Sequence, residues 1–179
     1  MRAVLSFGIA IGVAALAALQ PAGAQAPPLE MAVKAAYLSK FAPFIDWPAN
    51  AFAEPASPLV ICVLGPDPFG ANLDRAVEGH KDRGHPVTVR RLPVPDAAAD
   101  CHLLYVGDPA LAAPALEAAR NRPVVTVTEA GAAAPGVISF VRVGNNVRFD
   151  IDEAQAQSVG LTISSKLLSL ARNVRRSPR

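Results

Sequence analysis

The side chains in this sequence with chemistry to offer are two thiols, three imidazoles and a few carboxylates. Cys62 and Cys101 are its two cysteines, and His80, His85 and His102 its three histidines. In an oxidising compartment two thiols form one disulfide; in a reducing one the same pair binds metal, carries catalysis or lies buried. A zinc or copper site needs three or four clustered donors, and these residues show no spacing such as C-x-x-C or H-x-x-x-H. Adjacent Cys101 and His102 point to opposite faces if both lie in a strand. No metal is expected, and His80 and His85 read as solvated loop histidines.

The sequence carries no recognised catalytic or nucleotide-binding motif. No G-x-S-x-G elbow surrounds a serine, and Ser164 and Ser165 have no motif-paired base. Asp150 and Asp152 would project from one face of a strand, where two carboxylates can share acid and base roles, yet beside a turn such residues are normally solvated. Gly65-Pro66-Asp67-Pro68-Phe69-Gly70 stands where a doubly wound fold keeps its phosphate-binding turn. It lacks Gly-x-Gly-x-x-Gly spacing, and no Lys-Ser/Thr follows Gly70, so an ordinary capped connection is expected. The residues support no catalytic set and no cofactor. Arg90 and Arg91 read as a solvated face.

The compartment decides what the thiols do, and the amino terminus speaks to it. Arg2 supplies a positive start, Ala3 to Leu19 is uncharged, and Ala22-Gly23-Ala24 forms a small-residue cleavage site. This is the pattern of a signal peptide over residues 1–24, cleaved after Ala24. Export to the periplasm is expected, leaving about 155 residues, enough for one domain. Of 17 Lys and Arg, Arg2 departs with the leader, so 16 basic residues face 15 Asp and Glu. That balance gives no support for nucleic-acid binding.

The elements that must position these residues follow from periodicity. Residues 25–28 read as a flexible lead, and residues 29–174 as one domain without repeat or linker. Leu29, Val33, Ala36/Tyr37 and Phe41 predict a helix with one apolar stripe, ended by Pro43. The run Leu59 to Leu64 predicts a strand buried on both faces. Asp67 before Pro68 predicts a helix from Pro68 to Val77. Strands are expected over Pro86 to Leu92, nearer an edge, Leu103 to Val106 and Val124 to Thr128, with a helix over Pro109 to Arg120. Two alternating runs around Gly144-Asn145-Asn146 predict a β-hairpin spanning Val137 to Ile151. Asp152 caps a short helix ending at Gly160, a last helix runs from Ser164 to Val174, and residues 175–179 form a frayed basic tail.

Strands alternating with helices predict a single-domain α/β three-layer sandwich: a mixed, mostly parallel sheet with a C-terminal hairpin, flanked by helices. In a doubly wound 2-1-3-4 order the strand bearing Cys62 neighbours the one that Cys101 begins. This placement allows a bridge, with two buried free thiols as the alternative. A bridge closing a loop of about 40 residues restricts the unfolded chain by about 4 kcal/mol in the chain-entropy model.

The segment Lys34-Ala35-Ala36-Tyr37-Leu38-Ser39-Lys40-Phe41-Ala42-Pro43-Phe44-Ile45-Asp46-Trp47-Pro48 resembles the opening signature of the YfiR family. Further similar stretches are Ile61-Cys62-Val63-Leu64-Gly65, Cys101-His102-Leu103-Leu104-Tyr105-Val106, and Gly136 through Val174. The resemblance implies a non-enzymatic periplasmic regulator. Such a protein binds the periplasmic sensor domain of a membrane-bound diguanylate cyclase and keeps cyclic di-GMP low. It also implies sequestration by an outer-membrane lipoprotein, a homodimer, and a disulfide at Cys62 and Cys101, whose reduction weakens the regulator. The second bridge of four-cysteine members is missing here. On the predicted hairpin, Arg142, Asn145, Asn146 and Arg148 are the candidates for partner contact. A different class of reading remains beside this one: a small-ligand protein or enzyme with a pocket at the strand carboxyl ends, near Gly65 to Gly70 and Gly107 to Pro109.

Overall fold

A computed structural model describes residues 29–95 and 100–177; the expected leader and lead, residues 1–28, lie outside them. Helix α1 (Leu29–Phe41) is followed by a 3-10 turn at Ala42–Phe44 and by β1 (Ile45–Asp46). Then come β2 (Leu59–Leu64), α2 (Ala71–Val77), β3 (Lys81–Asp82), β4 (His85–Leu92), β5 (Leu103–Val106), α3 (Pro109–Ala118) and β6 (Val125–Glu129). The chain closes with β7 (Ile138–Val143), β8 (Asn146–Asp152), α4 (Glu153–Ser158), β9 (Thr162–Ile163), α5 (Ser165–Leu170) and β10 (Val174–Arg175).

The main sheet has the order β10-β8-β7-β6-β5-β2-β4-β3. Strands β4, β2, β5, β6 and β7 run parallel, β8 returns antiparallel to β7, and β10 lies parallel to β8. The four strands β4-β2-β5-β6 realise the expected 2-1-3-4 order. A separate pair, β1 with β9, joins the connector after α1 to the segment before α5.

All six residues of β2 are buried, and successive side chains on a strand point to opposite faces, so each face needs its own cover. Leu59, Ile61 and Val63 join Leu103, Tyr105, Val125 and Val127 beneath α1, α2, α4 and α5. Val60, Cys62 and Leu64 join Leu104 and Val106 beneath α3. The first layer is thick and aromatic. Phe41 of α1 meets Phe149 edge-on at 5.3 Å and Phe140 at 6.1 Å, which clamps α1 onto the hairpin. The second layer is thin, because α3 offers Ala112 and Ala115 as its buried side chains, with Ala119 just past its end.

Four expectations are corrected. Helix α1 buries Lys34, Ala35, Leu38, Ser39 and Phe41, while Leu29 and Ala36 face solvent; the apolar stripe is rotated because Lys34 finds carboxylates in the interior. Helix α2 begins at Ala71, not Pro68. Asp67 accepts from the Phe69 N–H at 2.7 Å and is also held by Arg91, so the chain turns at Gly70, φ 51°, before the helix starts. The last helix stops at Leu170, and Arg175, expected in a frayed tail, is in β10. Here the outer edge of β8 captures the chain: Arg172 N–H donates to Phe149 O and Ile151 N–H to Asn173 O. Ion pairs Arg172–Asp150, Arg175–Asp152 and Arg176–Glu153 fasten it. An open strand edge leaves backbone groups unpaired, and this segment supplies partners for them. In β7, Ile138 and Phe140 are the buried residues, on the face shared with Phe41.

Gly136 shows how closely β7 enters the sheet. A Cβ there would lie 2.5 Å from the Thr126 backbone oxygen, and the Gly136 N–H donates to Thr128 Oγ1 at 3.0 Å. Backbone on both sides leaves little room to relax. Gly136→Ala is therefore expected to lose about 2 kcal/mol, within the usual cost of overpacking, read as a lower urea midpoint at unchanged slope.

Candidate functional site

Cys62, in the middle of β2, and Cys101, just before β5, are joined by a disulfide with a Cα separation of 5.9 Å, within the range a bridge requires. Cys62 is 0% and Cys101 4% exposed. The bridge lies in the thin layer under α3, beside Val60, Leu64, Leu104 and Val124. It encloses a 39-residue separation containing α2, β3 and β4. Where small alanines leave the layer shallow, a covalent link holds β2 to the entry of β5.

Beside it, His102 is buried and doubly engaged. Its Nδ1 lies 3.2 Å from the Val60 N–H, which donates to it, and its Nε2 lies 3.1 Å from Ala51 O. Only the neutral ring with its proton on Nε2 satisfies both. Burial pushes the His102 pKa below its usual value, and nearby His85 acts in the same direction, against the Ala51 hydrogen bond and Asp100. Phe52 stacks on His102 at 4.4 Å and on His85 at 3.8 Å, and Trp47 meets His102 edge-on at 6.2 Å. His85, expected in a solvated loop, begins β4 half-buried, with Nδ1 2.7 Å from Ser57 O; His80 is exposed as expected. A groove of ≈ 630 Å³ opens between segment 50–60 and Asp100, Cys101, His102 and Arg122. Among the described residues, no three His, Cys, Asp or Glu side chains are grouped to hold a metal ion.

At the opposite, carboxyl end of the strands, the residues hold one another. Asp67 and Asp74 are bound by Arg91, whose guanidinium keeps the Asp74 carboxyl below its usual range. Asp108 accepts from the Ala110 N–H and caps α3. The Gly65–Gly70 turn is thus a capped connection. Alongside it, the buried ammonium of Lys34 donates to both oxygens of Glu129 at 2.9 and 2.8 Å and pairs with Glu30 at 2.7 Å. Tyr105 Oη donates to Glu129 Oε1 at 2.7 Å, and burial pushes its hydroxyl pKa upward. Glu30 continues to Arg142 at 3.5 Å. Apolar periodicity could not find this network, since its central member is a lysine; the signal was Lys34 lying on the face that carries Ala35, Leu38 and Phe41.

The hairpin candidates Arg142, Asn145, Asn146 and Arg148 all lie exposed near the β7–β8 tip, where the register puts Arg142 on the face of Phe140 and Phe149 and Arg148 on the opposite one. Arg142 is tied to Glu30, and Arg148 donates to Leu170 O at 3.3 Å. Val143 at the end of β7 and Leu170, whose carbonyl accepts from Arg148, are exposed apolar residues. Asp150 and Asp152 do not form a pair: Asp150 is held by Arg172, which lowers its pKa, and Asp152 accepts from the Gln155 N–H to cap α4.

The family model described as YfiR/HmsC-like (DUF4154) matches residues 31–172. The chain belongs to the YfiR/HmsC-like family. The matched span runs from α1 to the approach of β10 and includes the disulfide, His102, Lys34 and the hairpin. The YfiR/HmsC-like family is regulatory and non-enzymatic, which agrees with carboxylates and imidazoles that are engaged structurally. No curated protein matches the chain significantly. No helix among the described residues is long and apolar enough to cross a membrane.

Two substitutions test how the site is held. Replacing both cysteines by alanine is expected to cost about 4 kcal/mol in chemical denaturation by the loop-entropy estimate. Lys34→Met leaves Glu30 and Glu129 facing each other and is expected to cost about 3 kcal/mol, near the lower bound for breaking a buried pair. Hydrogen bonding to Lys34 holds the Glu30 pKa below 4.5. That contribution is present above about pH 4.5 and is lost as pH falls through the lower folded value, so acid titration of the variant should lack this part of the slope.

Proposed function

We propose that this chain is a periplasmic regulatory binding protein. It binds the periplasmic sensor domain of a membrane-anchored diguanylate cyclase, holds the enzyme inactive and so lowers cyclic di-GMP. The observation that carries the reading is the family match over residues 31–172. The disulfide supports export to an oxidising compartment. The chemistry required is recognition alone, which suits side chains bound to one another and a scaffold held at both ends of its strands.

The surface assigned to the partner in this reading is the hairpin tip. Arg142, Asn145, Asn146 and Arg148 offer hydrogen-bond donors on a rigid two-stranded support, and exposed Val143 and Leu170 add apolar area. Arginine flanked by apolar contacts is a common anchor of protein interfaces. An outer-membrane lipoprotein would relieve repression by sequestering the regulator, and a homodimer is the assembly in which it acts.

The test is calorimetric titration of the purified protein with the periplasmic domain of the cyclase encoded nearest its gene. A saturable complex is expected. Arg142→Ala with Arg148→Ala should weaken it by about tenfold or more, roughly 1.4 kcal/mol, without moving the thermal midpoint of the free protein. Absence of any complex would overturn the reading; a complex indifferent to the two arginines would move the interface off the hairpin.

A further inference from the structure

We propose that His102 is an acid-sensitive latch: its protonation releases the segment Ala49–Pro58 and opens the groove that leads to the Cys62–Cys101 disulfide. The segment lies over the amino ends of β2 and β5. Three of its described hydrogen bonds, Ala51 N–H to Pro48 O, Ser57 N–H to Glu54 O and Glu54 N–H to Ser57 Oγ, are local. Those that tie it to the body run to imidazoles, Ala51 O to His102 and Ser57 O to His85. The Phe52 ring stands between the same two histidines. The cover is fastened in part through His102, a side chain of the type that titrates nearest neutrality.

The latch is closed only by the neutral ring. His102, 7% exposed, accepts from the Val60 N–H on Nδ1. A proton on Nδ1 would set donor against donor where β2 begins, and an unmatched buried donor costs a hydrogen bond and its desolvation. The ring must then leave, taking the donor of Ala51 and the stacking face of Phe52 with it. The charged groups that face this ring have mixed signs. Asp100 before β5 favours its protonation, whereas His85 on β4 opposes it. Arg90 on β4, paired with Asp100 at 3.5 Å, and Arg122 before β6, across the groove, oppose it as well. Glu54, within the segment itself, lines the neighbouring groove on the far side of Phe52, with Asp82, Arg83 and His85. Phe52 attracts an imidazolium on one face but cannot replace the acceptor that Val60 loses.

Cys101 lies in the wall of the groove that the segment borders. With the latch closed the bridge is shielded; with it open, a reductant reaches sulfur. A phosphine serves as the probe. Its phosphorus attacks one sulfur and the S–S bond breaks; water then supplies the oxygen of the phosphine oxide, and two thiols are formed.

The experiment measures phosphine reduction of the folded, oxidised protein at about pH 7.5 and about pH 5. Thiols are counted by mass after alkylation, and each rate is normalised to that of the urea-unfolded chain at the same pH. The normalised rate is expected to rise several-fold at the lower pH, because a ring whose pKa is lower when closed than when open shifts the equilibrium toward the open state as it protonates. His102→Asn keeps an acceptor near Val60 but cannot titrate, and its two rates should agree. In the wild type, the His102 ring resonance should titrate below about pH 6.5, together with the Trp47 indole signal. Equal normalised rates in the wild type, a pH step that persists in His102→Asn, or a His102 ring still neutral at about pH 5 would each overturn the latch. The ring titration needs no variant and decides the matter if His102→Asn fails to fold.

Discussion

Burial of β2 on both faces is the constraint around which this molecule is arranged. Six consecutive apolar side chains cannot be covered from one side, so the chain must place helices above and below a sheet with β2 near its centre. Neighbours β4 and β5 follow because parallel strands need helical crossovers, and α2 and the loop beyond it supply the connections. The two covers are unequal. One is built of aromatic and branched residues from four helices, the other of alanines from α3. The disulfide sits in the weaker one, where dispersion and area contribute least.

Polar side chains solve the problems that this burial creates at the two ends of the sheet. At the carboxyl end, Lys34 brings a charge inward with α1 and is matched by Glu30 and Glu129, with Tyr105 completing the set. A buried ammonium with two carboxylates and a hydroxyl avoids the cost of an unpaired ion. At the amino end, His102 closes the backbone of Val60 and Ala51 with one ring. Both groups are occupied by partners within the protein. Both hold elements in register beneath exposed surfaces, which is what a binding scaffold requires.

Much of the architecture was legible because it rests on local patterns. The continuous run Leu59 to Leu64 became β2 at the expected bounds, and Leu103 to Val106 became β5. The hairpin around Gly144 and the Asp152 cap are short-range chemistry and appeared where their residues predict them. The strand order that neighbours β2 with β5 made the bridge possible on paper. The family resemblance, carried by signature residues from Lys34 to Pro48, also held. The misses share a cause: a long-range partner overrode a local signal. Arg91 and the Phe69 turn took Asp67 away from the helix N-cap, and β8 took Val174 from the last helix and Arg175 from the tail.

The sequence by itself determined the class of the fold, the order of the four strands β4-β2-β5-β6, the family and, through these, the expectation of a bridge between Cys62 and Cys101. Each depends on periodicity, turn chemistry or motif, which are properties of neighbours along the chain. Only the tertiary structure decided which way α1 faces, that Lys34 is interior, and that Phe52 stands between His85 and His102. Those facts depend on which groups meet across 30 to 100 positions of chain. The free energy of burying a charge or an imidazole is set by the partner that arrives from elsewhere, and no local pattern encodes that partner.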